Sequence, residues 1–235
     1  MQNCVVMSFY IMNIFDRRSS KERSLNDSCD WLEEHFGISL SKQSLDERYN
    51  TYAVSFMKEC FEKLLTKVNE LELNKLSLKD FSSIQLTDAT SFRISDNLST
   101  FYKGYKGNAG SSVLKIHLNC DLLNGQIEEI SLGDGSVHDN AYVPVTKLAT
   151  NQIRAVYSLR WQVEVMFKLW KSHYNIDKVK KMSIFRFKCH IYAQLIVALL
   201  DFALQQAMEP IFLEELEEEL SPIKATKLIK KNSIN

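Results

Sequence analysis

The chain reads as a mixed α/β protein of the α+β kind: a three-stranded antiparallel meander packed by long helices, behind a helical N-terminal region. Three observations carry this reading. Apolar residues recur at 3.6 spacing over residues 41–72 and again from 184 to about 208, which is the period of a helix with a buried face. Between them, residues 83–132 alternate with period two and are punctuated by Gly- and Asn-containing turns. Three such strands follow one another with no helical pattern between them, so neighbours in sequence pair antiparallel.

The elements follow in order. The opening Met1 to Phe15 is apolar but lacks a basic leader, so a signal peptide is not expected; the charged run Asp16 to Arg23 follows. Residues 25–36 have the length of a short helix, and Gly37 stops it. Ser41 is placed to cap a second helix running to about Glu72, with Ala53, Met57, Cys60, Phe61, Leu64, Leu65 and Val68 on its inner face. Two helices joined through Gly37 to Leu40 allow a helix-turn-helix, but a recognition helix carries more basic residues than this one. A plain helical hairpin is the simpler reading.

Strands are expected at Ser83–Ile94, Ser112–Cys120 and Gln126–Leu132, with Leu123-Asn-Gly125 as a hairpin turn. Asp134 and Asp139 fall in the polar loop that follows and read as turn residues. Thr150 is placed to cap a helix from Asn151 to about Ser172; after a basic loop, Ser183 caps a long helix from Ile184 to about Met208. The run Ile191–Leu204 is too short and interrupted to span a bilayer. The tail, with Glu214 to Glu219 and then Lys224, Lys227, Lys230 and Lys231, reads as a solvated end. The expected domains are residues 1–75 (helical), 76–210 (central core) and 211–235 (charged tail).

The bulk numbers narrow the field. The chain has 235 residues, 45% hydrophobic and 25% charged, with only 7 Gly and 3 Pro, which excludes long linkers and low-complexity sequence. Its 29 basic and 29 acidic residues cancel, a low net charge for a DNA-binding protein. The balance is local, however: from Arg154 to His190 nine basic residues face only Glu164 and Asp177, a net +7 suited to phosphate. Five scattered cysteines without a Cys-x-x-Cys pair read as reduced thiols, with no zinc site. His117 and His190 read as core or edge histidines.

The most informative stretch is Tyr157-Ser-Leu-Arg160-Trp-Gln-Val-Glu164, with Lys171 seven residues on. At ~100° per residue on a helix, Tyr157, Arg160, Glu164 and Lys171 fall within ~60° of one another. The rest of the helix is apolar, including Trp161, Phe167 and Trp170 as packing residues. The four polar groups are therefore expected to face a protected place, where charges persist only when paired or bound to a metal. One reading is an ion-pair stripe that only holds helices together. The other is phosphate and metal chemistry, a carboxylate flanked by Arg and Lys. Asp88 is the second notable residue: Asp is a poor strand former, yet it sits mid-strand. It is either a turn or edge Asp, or a metal ligand on a rigid strand.

Tyr157-x2-Arg160-x3-Glu164-x6-Lys171, with the text around it to Ser172, then Val179-Lys-Lys-Met182 and Arg186-Phe-Lys-Cys-His190, resembles the C-terminal signature of bacterial insertion-sequence transposases of family four, the DDE type. Ser44-Leu-Asp-Glu-Arg-Tyr49 resembles their helical N-terminal region, and Asp88-Ala-Thr90 their first catalytic Asp, on the first strand of a ribonuclease-H-like fold. The resemblance implies catalytic and metal-ligating roles for Asp88 and Glu164, and DNA-phosphate or supporting roles for Tyr157, Arg160 and Lys171. It implies Mg2+ or Mn2+ as cofactor, with no small-molecule cofactor. The implied partners are double-stranded DNA (terminal repeats and target) and a second copy on DNA, with a cytoplasmic, nucleoid-associated location and no membrane. The implied reaction is DNA strand cleavage and strand transfer.

The sequence departs from the family in one respect. A second catalytic Asp belongs on a fourth strand, and the interval from Leu132 to Asn151 is too short for a strand, a crossover and another strand. The chain therefore reads as an internally deleted and truncated copy with an incomplete ribonuclease-H-like core, defective in transposition. The alternative is a catalytically inactive remnant that binds DNA or associates with intact transposase.

Overall fold

The structure is a computed structural model and describes residues 24–69, 85–105, 111–121, 126–136, 163–172 and 174–216. Along the chain these form α1 (Leu25–Phe36), α2 (Lys42–Glu47), α3 (Thr51–Asn69), β1 (Gln85–Ile94), β2 (Ser112–Asp121), β3 (Gln126–Asp134), α4 (residues 163–172) and α5 (Ile184–Leu216). The chain divides into two compact units, residues 69–181 and residues 1–68 with 182–235. The turn at 123–125, Asp139, Cys4, Tyr157, Arg160, Trp161 and the tail beyond 216 lie outside the described residues.

In the helical unit, α1 starts and stops where its sequence dictates. Ser24 Oγ accepts the Asp27 N–H, and Asp27 Oδ2 accepts the Ser24 N–H at 2.9 Å, a reciprocal cap. At the other end Gly37 turns left-handed at φ 64°, and its N–H closes on the Glu33 carbonyl. Ser41 does cap a helix, but that helix is only α2. The single helix expected from Ser41 to Glu72 is broken at residues 48–50. Arg48 folds back onto the Ser44 carbonyl and Oγ, both at 2.6 Å, and Asn50 Oδ1 accepts the N–H groups of Tyr52 and Ala53, starting α3 afresh. A short polar side chain competes with the helical ladder for the same donors, and apolar periodicity does not register that competition.

Along α3, Ala53, Met57, Phe61, Leu65 and Val68 are buried at helical spacing. In α5, Phe187, Ile191, Leu195 and Val197 are at most 1% exposed, and Tyr192 meets the Phe61 ring at 6.0 Å. The last helix thus belongs with the N-terminal helices in one unit, whereas the sequence reading grouped it with the strands. It also continues past Pro210 to Leu216, beyond the end expected near Met208. The stretch Ile184–Gln205 is long and apolar enough to cross a membrane by length and composition, although Ile191–Leu204 had read as too short, and 67% of it is buried within the protein. A helix apolar around most of its circumference is what a core position requires.

The other unit holds the sheet. Among the described residues it has three strands in the order β1-β2-β3, both pairs antiparallel, so the expected meander is present. Asp88 pairs with Leu118, and Ile94 with Ser112. β2 is central and buried over most of its length, with Leu114, Ile116 and Leu118 at most 1% exposed. β3 runs two residues beyond the expected Leu132, and its last residue, Asp134, then takes the turn role by accepting the Ser136 N–H at 2.9 Å. The outer edge of β3 is closed in part by Asn69, whose side-chain amide donates to the Ile127 carbonyl (2.7 Å) and accepts the Ile127 N–H (3.2 Å). An amide that mimics a neighbouring peptide satisfies an edge that would otherwise pair with another chain.

Candidate functional site

The site is built on β1. Its even-numbered residues turn inward, with Thr90, Phe92 and Ile94 buried, and Asp88 lies half-buried in that row. Asp88 is thus neither a turn residue nor fully exposed. Its Oδ1 accepts the Ala89 N–H at 2.8 Å. Beside it in the sheet, Cys120 Sγ points to the Leu86 carbonyl at 3.7 Å. Burial pushes the Cys120 thiol up to about 12, and the carboxylates of Asp121, Asp88 and Glu128 add to the effect, so three acidic groups act on one end of the sheet. Asp121, 5% exposed at the end of β2, is a carboxylate the sequence reading did not single out. Nothing in its local sequence marks it, because its burial comes from the strands on either side.

The second part of the site is α4. Val163, Phe167 and Trp170 are buried at i, i+4 and i+7, and Phe167 and Trp170 pack edge to face at 5.4 Å. Trp170 and Phe167 are therefore packing residues, as expected. The helix ends beyond Ser172, where Asn175 adopts φ 52° and the Ile176 N–H reaches back to the Trp170 carbonyl. Glu164 is exposed and Lys171 half-buried. The polar stripe was expected to look into a protected place; for Glu164 the structure replaces that with a solvent-facing position, on the strip between Val163 and Val165, which are both buried.

A hydrogen bond joins the two parts. Lys171 Nζ donates to the Ser91 carbonyl at 3.1 Å. Ser91 lies three residues from Asp88 on the same strand, and peptide groups of alternate residues point to the same side of a strand. The Ala89 N–H and the Ser91 carbonyl therefore both lie on the side of β1 away from β2. In the described residues that edge is met by the Asp88 carboxylate and the Lys171 ammonium rather than by another strand. Ser91 also holds Tyr105, Oη to Oγ at 2.6 Å. It is a junction the sequence reading missed, because a backbone carbonyl leaves no trace in residue identity.

The expected site residues thus stand as follows. Asp88 and Lys171 are brought to one strand edge, Glu164 lies on the same helix as Lys171, and Tyr157 and Arg160 lie outside the described residues. Among the described residues there is no group of three or more His, Cys, Asp or Glu side chains arranged to hold a metal ion. The four cysteines described, Cys29, Cys60, Cys120 and Cys189, are free thiols. His190 is 5% exposed, a core histidine as expected, and burial first, with the nearby Arg186 charge second, pushes it down to about 4.

Comparison with known proteins bears directly on this arrangement. The transposase DDE domain family matches residues 79–146 and 141–200, just over half of the chain. The two pieces meet within the interval where the sequence lacks room for a fourth strand. Among curated proteins, the transposase for insertion sequence element IS1151 of Clostridium perfringens is 42% identical over 89 residues, which is 37% of this chain and 19% of the relative. The transposase for IS231F of Bacillus thuringiensis subsp. israelensis is 36% identical over 93 residues, 38% of this chain and 20% of the relative. That for IS231B of Bacillus thuringiensis subsp. berliner is 35% identical over 129 residues, 52% of this chain and 27% of the relative. The chain spans about a fifth to a quarter of the length of the curated relatives it matches. No solved structure matches it. With the Asp88 strand and the Glu164–Lys171 helix both inside the matched residues, this chain belongs to the DDE transposase family of bacterial insertion sequences.

Proposed function

We propose that the chain is a defective copy of an insertion-sequence transposase that keeps part of a ribonuclease-H-like metal site and a DNA-binding surface, with little or no strand cleavage and transfer. The observation that carries this reading is the bond from Lys171 to the Ser91 carbonyl, which ties the signature helix to the Asp88 strand. From Lys171 back to Glu164 is ~10.5 Å along a helix axis, and from Ser91 back to Asp88 is ~10 Å along a strand. Glu164 and Asp88 are thus set back by similar distances from that bond, each along its own element. Both are hard oxygen donors of the kind that Mg2+ and Mn2+ take.

A bound divalent ion in such enzymes activates the attacking oxygen and stabilises the leaving one. Two carboxylates, one of them already accepting a peptide N–H, fit that group in kind but fall short in number, so no cleavage step is assigned to this chain. The short interval between β3 and α4, where the two family matches meet, supports the reading of a defective copy. Double-stranded DNA, at terminal repeats or target, is the proposed partner, and it implies a cytoplasmic, nucleoid-associated location. Tyr157 and Arg160 would join Lys171 on phosphates; Arg suits a bidentate contact and Lys a point charge. Pairing of two copies on DNA is proposed from the family.

A second reading, an inactive DNA-binding or transposase-associating remnant, is favoured by the basic run in which Lys168, Lys178, Lys180 and Lys181 are all exposed. Calorimetry of Mn2+ binding to the purified chain, beside Asp88→Ala/Glu164→Ala, separates the two. Weak binding lost in the double variant supports the residual metal site. No specific binding, with DNA still bound in EDTA, leaves the second reading. Robust Mg2+-dependent nicking abolished by Glu164→Gln would sink the assignment as defective.

A further inference from the structure

We infer that Phe101, Lys103 and Tyr105, in the segment after β1, form a contact surface for single-stranded DNA; this rests on the proposed DNA reading and adds a site to it. Exposure alternates along the segment. Phe101 and Tyr105 are each 56% exposed and Lys103 is exposed, while Tyr102 (6% exposed) and Gly104 are turned in. The backbone beneath is pinned: Lys103 bridges Ser112 at the start of β2, and its carbonyl accepts the Gly135 N–H at 2.9 Å. Gly104 lets the segment lie close, since a Cβ there would run into Ser111 Oγ. The result is a rigid base with an aromatic, a basic and an aromatic side chain directed to solvent.

Scattered exposed apolar residues are ordinary. Two rings flanking a lysine on a pinned segment form the combination that binds nucleic-acid strands, with bases stacking on rings and an ammonium meeting phosphate. A stacking ring needs an open base face, which a duplex hides and a single strand offers. The surface is also tied to the family site. Tyr105 Oη meets Ser91 Oγ at 2.6 Å, and the carbonyl of the same Ser91 receives Lys171 Nζ. A strand bound there would run beside the Asp88 edge of the sheet.

The test is fluorescence anisotropy on the full chain in EDTA, with a labelled oligothymidylate, an abasic strand of equal length and a duplex. Phe101→Ala and Tyr105→Ala are each expected to weaken the oligothymidylate Kd about 5- to 100-fold, the stacking contribution of one base. Phe101→Trp and Tyr105→Phe, which keep a ring, are expected to retain binding, as is Tyr52→Ala, whose ring is 84% exposed on α3. The abasic strand should bind weakly and equally to wild type and both alanine variants. Alanine variants that bind oligothymidylate like wild type, while the duplex is still bound, overturn this inference alone. Loss of abasic binding in step with oligothymidylate binding overturns it too. Absence of binding to any of the three probes overturns the DNA reading beneath it.

Discussion

Lys171→Met tests whether the signature lysine holds the site together. Methionine keeps the length and apolar contact of the lysine stem and deletes only the charged donor. The lost interaction is a hydrogen bond from an ammonium to the Ser91 carbonyl at 3.1 Å. Bonds to charged groups are worth about 1.5–3 kcal/mol, and the half-buried position argues for the lower end because solvent screens the charge. A loss of about 1.5 kcal/mol raises the population of locally open β1 roughly ten-fold. Hydrogen–deuterium exchange resolved by mass spectrometry is the assay, because a chain of two units does not give one global unfolding free energy. Peptides covering β1 and α4 should exchange about ten-fold faster, and peptides of α1 and α3 should not change. Unchanged exchange in β1 would refute the reasoning. It would mean that the bond contributes nothing net and that the ammonium acts on phosphate alone; the salt dependence of DNA binding should still lose about one phosphate contact in the same variant.

Two further outcomes follow from the helical unit. Phe187→Ala, at a fully buried position in α5, should cost about 3–5 kcal/mol, read as a fall in the urea midpoint, because the cavity adds to the lost transfer energy. Acid should weaken the same unit through His190, which sits at about 4 in the folded chain and at its ordinary 6.5 when unfolded. Between those values the unfolded state takes up the proton and the folded state does not, so this contribution is complete above pH 6.5 and is lost as pH falls towards 4, about 3 kcal/mol in all. Urea midpoints measured across that window should slope with pH in wild type, and His190→Leu should flatten the slope; an unchanged slope in the variant would reject the assignment.

Much was legible in the residues themselves, wherever the cause of a feature lies within a few positions of it. Ser24 and Gly37 bound α1 because a side-chain oxygen and a left-handed glycine act on their own turn of helix. The three strands were visible as alternation, and the Tyr157 to Lys171 spacing with Asp88-Ala-Thr90 was enough to identify the family, since motif residues recur at fixed intervals along the chain. The shortness of the interval between β3 and α4 was legible as plain length. Other features needed the folded chain, because their causes are distant in sequence or carried by backbone. The break at Arg48–Asn50 depends on which acceptor wins the first peptide donors of α3. The grouping of α5 with the N-terminal helices depends on where an apolar face nearly two hundred residues from the start finds its partner. That Lys171 meets a carbonyl on β1, that the same Ser91 anchors Tyr105, and that Glu164 faces solvent are facts of tertiary geometry. A one-dimensional spacing places a side chain on a stripe of its helix, but only the packing of that helix against a particular strand decides what the stripe faces.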